Sequence, residues 1–454
     1  MTLKPQSEPG GPRGRLDPAY LVAVYAVAVG VTPEFTFLGI PKVRVTDLLL
    51  PLIFLVCGGA QRTAGLKAAS LPLSGLFRGI LFWNLGALLL WGSASLRPGI
   101  FYLAKRLIYF LVVYVVFISV RRVQVWNSII RIMVFTSPLL CFTVLGELSR
   151  NIASGGVLAT TEGMRASGII ANQQTSTALY IAVITSLALG AWDAFKDPLW
   201  KLGALASLIT GTLAILATGS RGGLACIVLS MAVTIMRRPR QALKLGLVAA
   251  LVGSVGWVAT PAGLKSRIVS LAGEVDATVT GLTVDESELP EFGSSSVADR
   301  VMTARWAMAE LLPRAHVLGL GAGFKNLGAI DNFYLTEWMY HGLIGLGLWI
   351  ALQVGITVSA LRISARTSDP VEKGLAFGVA TAMIVTSFSG LHAETFYLIR
   401  PMEALALMIG LMAARYQAFS SQAKPEEQTE QEPVQENRNL RFRTMYRKGE
   451  SNRA

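Results

Sequence analysis

Several ionisable side chains stand at the edges of long apolar runs, where a charge is costly unless it pairs or works. Arg165 lies in TEGMRASGIIANQQ and Arg221 in ATGSRGGLACI; Asp331 and Asn332 open DNFYLTEWMYHGLIGLG, and His392, Glu394 and Arg400 fall in GLHAETFYLIRP. A guanidinium beside helix N-terminal amides binds phosphate oxygens, and Gly222 and Gly223 after Arg221 let backbone amides approach such a ligand closely. A rim carboxylate such as Asp331 can take a proton from a hydroxyl. Together these types suit group transfer from a phosphate leaving group. The SRGG turn serves equally well as a tight turn whose arginine snorkels to lipid headgroups, and Arg165 shares that alternative. Lys105 and Arg106 fit interfacial anchors as well as ligands. His341, inside an apolar run, reads as a packing or hydrogen-bonding residue between helices.

These groups must be positioned by membrane helices. The chain of 454 residues is 52% hydrophobic and only 15% charged, with a mean hydropathy of +0.51. Its recurring apolar runs predict an all-α, polytopic bundle of about 12 transmembrane helices. The runs are 18–35, 44–60, 76–94, 100–120, 127–149, 171–192, 200–219, 222–236, 242–261, 332–361, 374–391 and 399–416. The first follows MTLKPQSEPGGPRGR without a small-residue cleavage signature, so it reads as a retained helix.

With residues 1–17 in the cytoplasm, Arg62, Lys67, Arg121, Arg122, Lys196, Lys201, the RRPRQALK block and RISARTSDPVEK all fall inside. That is the arrangement the positive-inside rule demands. Spans one to nine then occupy 18–261, a large outer loop 262–331, and the last three spans 332–416. Residues 417–454 form a charge-rich cytoplasmic tail of disordered composition. The loop joins turn residues (GLTVDESELPEFGSSS) to the amphipathic stretch VADRVMTARWAMAELL, which carries Arg300; loops of this size in compact bundles usually serve function. Arg165, Arg221, Asp331, His392 and Arg400 thus converge on the outer face. The midplane looks nearly empty of charge, unlike a transporter's broken-helix sites.

The net charge of +13 is spread between apolar runs rather than gathered in one patch, which argues against nucleic acid as a partner. Cys57, Cys141 and Cys226 lack metal-ligand spacing, and no metal or cofactor is expected.

Four stretches together resemble the O-antigen ligase-related superfamily, which holds the lipopolysaccharide O-antigen ligases and the Wzy-type O-antigen and exopolysaccharide polymerases. They are RASGIIANQQ, TGSRGGL, DRVMTARWAMAELLPRAHVLGLGAGF and DNFYLTEWMYHGLIGLG, between residues 160 and 350. The last fits a pattern of His, Asn, nine residues and Gly-x-x-Gly, through Asn332, Gly342 and Gly345. The resemblance implies a metal-independent, inverting glycosyltransferase in the bacterial inner membrane, multi-pass, with both termini cytoplasmic and its active site facing the periplasm. It implies undecaprenyl-diphosphate-linked glycan as donor, a glycan or lipid A–core as acceptor, and other polysaccharide export proteins as company. Arg165 and Arg221 match the arginines thought to hold the diphosphate. Asp331 stands where ligases place a His that assists the acceptor hydroxyl, and an Asp-Asn pair is frequent in polymerases. A polymerase is therefore the first expectation, with Arg300, Asn332, Gly222, Gly223, His392 and Arg400 as substrate-binding residues. The alternatives are a ligase, with His392 replacing the missing His, and a transporter or flippase for an anionic lipid-linked solute.

Cysteines introduced singly at positions 165, 221 and 331 should react with a membrane-impermeant thiol reagent applied to the cell exterior. Labelling confined to permeabilised cells would reverse the layout.

Overall fold

The computed structural model describes residues 18–37, 40–64, 71–120, 123–153, 166–169, 174–262, 265–266, 268–269, 305–321 and 332–422. Arg165, Arg300 and Asp331 lie outside the described residues, as do segment 1–17, most of the large loop and the tail beyond residue 422.

The first helix, α1 (Pro18–Val31), stops short of residue 35. A hairpin follows, β1 (Glu34–Phe37) paired antiparallel with β2 (Ile40–Arg44), before α2 (Val45–Ala64). It is a small departure from the all-helical expectation. The expected run, 18–35, placed the end of the helix past Pro33 and Glu34, and the hairpin occupies most of the connector expected between the first two runs.

The next helical run, Ser74–Ser119, has 46 residues. In one straight helix Phe77 and Phe110 would stand about 50 Å apart. Their ring centroids are 4.7 Å apart, and Arg106 reaches Asn84. The run therefore doubles back into antiparallel halves, α3 (Ser74–Trp91) and α4 (Gly99–Ser119). The sequence's two apolar stretches, 76–94 and 100–120, correspond to them.

The remaining long helices are α5 (Val123–Ala153), α6 (Gln174–Gly190), α7 (Pro198–Thr218), α8 (Arg221–Arg237), α9 (Pro239–Ala259), α10 (Phe333–Arg366), α11 (Pro370–Ser389) and α12 (Ile399–Gln422). By length and composition, six helical segments among the described residues are suited to crossing a membrane: α3, α4, α5, α7, α10 and α11. Apolar portions of α1, α2, α6 and α9 are shorter.

Contacts between helix ends show the up-and-down order. At one end Arg400 reaches the Val29 carbonyl, Ala166 N–H donates to Ala217, and Phe333 N–H donates to Gly390. At the other end Arg131 pairs with Asp197, Arg415 with Asp369, and Arg238 reaches the Gly190 carbonyl.

Helix α6 is the centre of the bundle, with every residue from Ser176 to Gly190 buried. A helix apolar all round belongs in such a place. It meets α11 backbone to backbone: a Cβ on Gly190 would lie 2.5 Å from Gly378 Cα, and one on Gly374 would lie 2.8 Å from Ala191 Cα. Small residues spaced by four allow this approach and the dispersion contacts that hold membrane helices together. By contrast α9 turns Leu243, Leu247, Leu251, Val255 and Val258 outward.

Replacing Gly190 with Leu should separate α6 from α11 and destabilise the protein by roughly 1–3 kcal/mol or more. A Cβ at Gly347 meets nothing within 4 Å. Gly347→Ala should therefore be neutral or stabilise by about 0.5–1 kcal/mol through reduced backbone entropy. Thermal melting of detergent-solubilised protein reads both.

Candidate functional site

The site begins where α7 turns into α8. Gly219, at φ +59°, ends α7 in the left-handed conformation that glycine tolerates best. Ser220 then caps α8, its Oγ accepting from Gly223 N–H at 3.2 Å, so Arg221 becomes the first helical residue and is half-buried.

The two glycines have packing duties in this arrangement. Gly223 has its amide taken by Ser220, and a Cβ there would press on Ala178 of α6 at 2.6 Å. A Cβ on Gly222 would fall 2.0 Å from His392 Nε2, so this glycine is the seat of the His392 ring. The expectation gave both amides to a ligand; at Gly223 the helix cap uses it.

His392 belongs to the turn joining α11 to α12, and the start of α10 docks on the same turn. Asn332 caps α10 by accepting from Leu335 N–H at 3.0 Å, while its Nδ2 donates to the Leu391 carbonyl at 2.9 Å. Thr336 Oγ1 donates to Glu394 Oε1 at 3.3 Å. Arg221, Gly222, His392, Asn332 and Glu394 thus share one corner of the bundle, at the end where Ala166 lies beside Ala217. Ser167 and Gly168 amides donate to Glu147 Oε2 at 2.9 and 2.5 Å, which anchors the chain just after position 165 to α5.

Arg400 has a different environment from the one its place in the sequence suggested. It is buried and donates to the carbonyls of Val29 and Thr32, at the C-terminal end of α1. A cation there complements the negative end of the helix dipole. Nearby, Arg44 joins Asp47 at 2.5 Å and Glu403 at 2.9 Å, linking the hairpin to α2 and α12.

Beneath the corner lies a cluster the sequence did not reveal. Arg106 of α4 is buried and pairs with Glu337 Oε2 of α10, and it also donates to Asn84 Oδ1 and, at 3.1 Å, to Tyr397 OH. Tyr397 OH donates to Glu337 Oε2 at 3.0 Å, and His341 Nδ1 lies 3.2 Å from Glu337 Oε1. The Trp349 ring lies 5.2 Å from the guanidinium carbon. Burial and then the Glu337 carboxylate hold the Tyr397 phenol well above the ordinary tyrosine pKa, so it remains a proton donor. This paired guanidinium and carboxylate lie in the first turns of α4 and α10, at the end of the bundle that carries the corner. The available signal was Glu337 itself, a carboxylate five residues into an apolar run, which requires a partner.

Next to this cluster α10 is broken at Gly342, with φ +68° and ψ −173°. Residues 316–321 lie across the break. Leu320 and Gly321 N–H donate to the carbonyls of Met339 and Tyr340, and Leu343 and Ile344 N–H donate to those of His316 and Val317. The Trp83 indole donates to the His341 carbonyl at 2.8 Å. Every interrupted helical bond named here has a replacement, as a low-dielectric surrounding requires.

Among the described residues no group of His, Cys, Asp and Glu has an arrangement able to hold a metal ion. The corner brings a guanidinium, an imidazole, an amide and a carboxylate together beside the start of α8, group types suited to anion binding and proton handling. No protein-family model matches the chain, and no curated protein matches it.

Glu337→Leu should destabilise the protein by roughly 3–5 kcal/mol, because it leaves the Arg106 charge buried alone. The double variant Arg106→Leu/Glu337→Leu should recover much of that loss. Melting temperatures of the two singles and the double decide it, and simple additivity would mean that the pair is uncoupled.

Proposed function

We propose that this chain is an integral membrane glycosyltransferase that takes a glycan from undecaprenyl diphosphate at the periplasmic face of the bacterial inner membrane and polymerises repeat units of O-antigen or exopolysaccharide. The carrying observation is the corner that unites Arg221 at the capped start of α8 with His392, Asn332 and Glu394, contributed by distant parts of the sequence. Transfer from a diphosphate requires stabilisation of charge on the leaving group, and preorganised cations and helix-terminal dipoles supply it without a metal.

In this mechanism Arg221, with Arg165, holds the diphosphate, and Asp331 takes the proton of the acceptor hydroxyl as its oxygen attacks the anomeric carbon from the face opposite the leaving group. Inversion follows from that single displacement. Asn332, the residue after Asp331 in the sequence, fixes the start of α10 against the Leu391 carbonyl. Arg300 and the amphipathic part of the outer loop contact the glycan.

Two other activities compete. Transfer to lipid A–core, with His392 as the base, is favoured by the closeness of that ring to Gly222. Transport of an anionic lipid-linked solute draws on the break in α10, since transporters bind their cargo at interrupted helices. Here the backbone groups named at the break are bonded to residues 316–321 and Trp83 rather than presented to a solute.

Arg221→Ala and Asp331→Asn should each reduce chain extension by about 100-fold or more at unchanged protein level, the scale for losing one transition-state stabilising group. The cellular glycan profile separates the activities. Single repeats accumulate if a polymerase fails, whereas long chains remain on their lipid carrier if a ligase fails. Normal products from both variants, or solute flux in proteoliposomes without any glycan product, would remove the mechanism.

A further inference from the structure

At the end of the bundle opposite the corner, α8 passes into α9 through Arg237, Arg238, Pro239 and Arg240. There Asp193, Arg238, Pro239, Arg240, Pro370 and Lys373 border an open cleft of about 490 Å³. Three cations face it against one carboxylate, and that carboxylate is shared already: Asp193 accepts from Lys201 Nζ at 3.2 Å and from Arg238 Nη1 at 3.5 Å. Asp369, which precedes Pro370, caps α11 and pairs with Arg415. Arg237 and Arg238 crowd the Phe377 ring, with guanidinium carbons 4.9 and 5.7 Å from its centroid. Burial and the Arg238 charge together press Arg237 below the ordinary arginine pKa. Positive charge here exceeds what the neighbouring carboxylates balance.

An apolar ridge leads away from this cleft. Leu243, Leu247, Leu251 and Val255 follow one another at four-residue steps along α9, with Val258 after them, and all are 64–78% exposed. Arg240 stands three residues before Leu243, so cation and ridge share a helix face. An occupant that is anionic at one end and hydrocarbon along its length complements both features, whereas a small soluble anion uses only the first.

We propose that this cleft binds one anionic phospholipid, with its phosphodiester between Arg240, Lys373 and Arg238 and an acyl chain along α9. Arg238 is the fixed member, held by the Gly190 carbonyl and Asp193. Arg240 and Lys373 are exposed and supply the remaining charge. The site is independent of the proposed glycan transfer.

The test uses purified full-length protein in a neutral detergent, titrated with phosphatidylglycerol and followed by native mass spectrometry and thermal melting. One phosphatidylglycerol should be retained per chain, with saturable stabilisation, and phosphatidylcholine should do neither at the same concentration. Arg240→Gln/Lys373→Gln should raise the half-saturating lipid concentration roughly 25-fold, about fivefold per charge removed. Lys373→Glu alone should weaken binding further than Lys373→Gln, and Arg314→Gln, at the other end of the bundle, should leave it unchanged. Equal binding of phosphatidylcholine, non-saturating uptake, or indifference to the double variant would overturn the proposal. Displacement of the lipid by equimolar inorganic phosphate would overturn it too, by showing a site for the free anion.

Discussion

Two charges placed where water cannot reach them dictate much of this fold. Arg106 and Glu337, separated by 231 residues in sequence, are almost completely buried, so each depends on the other. Arg106 also donates to Asn84 Oδ1 and Glu337 accepts from Tyr397 OH, with His341 Nδ1 3.2 Å from the second carboxylate oxygen. The attraction is strong in a low-dielectric interior, but desolvation offsets much of it, so the pair specifies position more than it adds stability. It fixes α4 against α10 at the level of the Gly342 break and brings the turn before α12 into the same cluster. The corner above it inherits its geometry from that turn: His392 rests on Gly222, while Leu391 receives the Asn332 amide.

The helices themselves were legible wherever the thickness of a hydrocarbon layer sets the length of an apolar run. The antiparallel α3–α4 pair is an example, with its two stretches visible on either side of a polar interval. The hairpin at 34–44 was hidden because its strands are so short that an alternating pattern cannot be told from an ordinary connector between two apolar runs. The break at Gly342 was hidden because the replacement hydrogen bonds come from residues 316–321, which no local pattern connects to it. Helix starts were easier to see, since SRGG carries a serine cap directly before the first helical residue.

For the candidate site the division is similar. The position of Arg221 at a helix start could be read locally, whereas its nearness to His392 depends on α8 packing beside the α11–α12 turn. Arg106 fitted an interfacial anchor as well as a ligand because its partner, Glu337, could not be identified from its neighbours. Arg400 looked available to substrate for the same reason; the ends of α1 that occupy it are 368 and 371 positions away. Ionisable residues at the edges of apolar runs are thus easy to find but hard to assign, because structural and chemical uses produce the same local pattern.

The enclosure of α6 bears on how the molecule is made. Translation proceeds from the N-terminus, so α6 enters the bilayer long before α11 exists to cover Gly190 and its neighbours. During that interval its small-residue face and its serines and threonines must rest against lipid or against a temporary companion. A polypeptide truncated ahead of residue 370 would never obtain the permanent cover, and quality-control proteases would meet that uncovered helix as the mark of an unfinished chain.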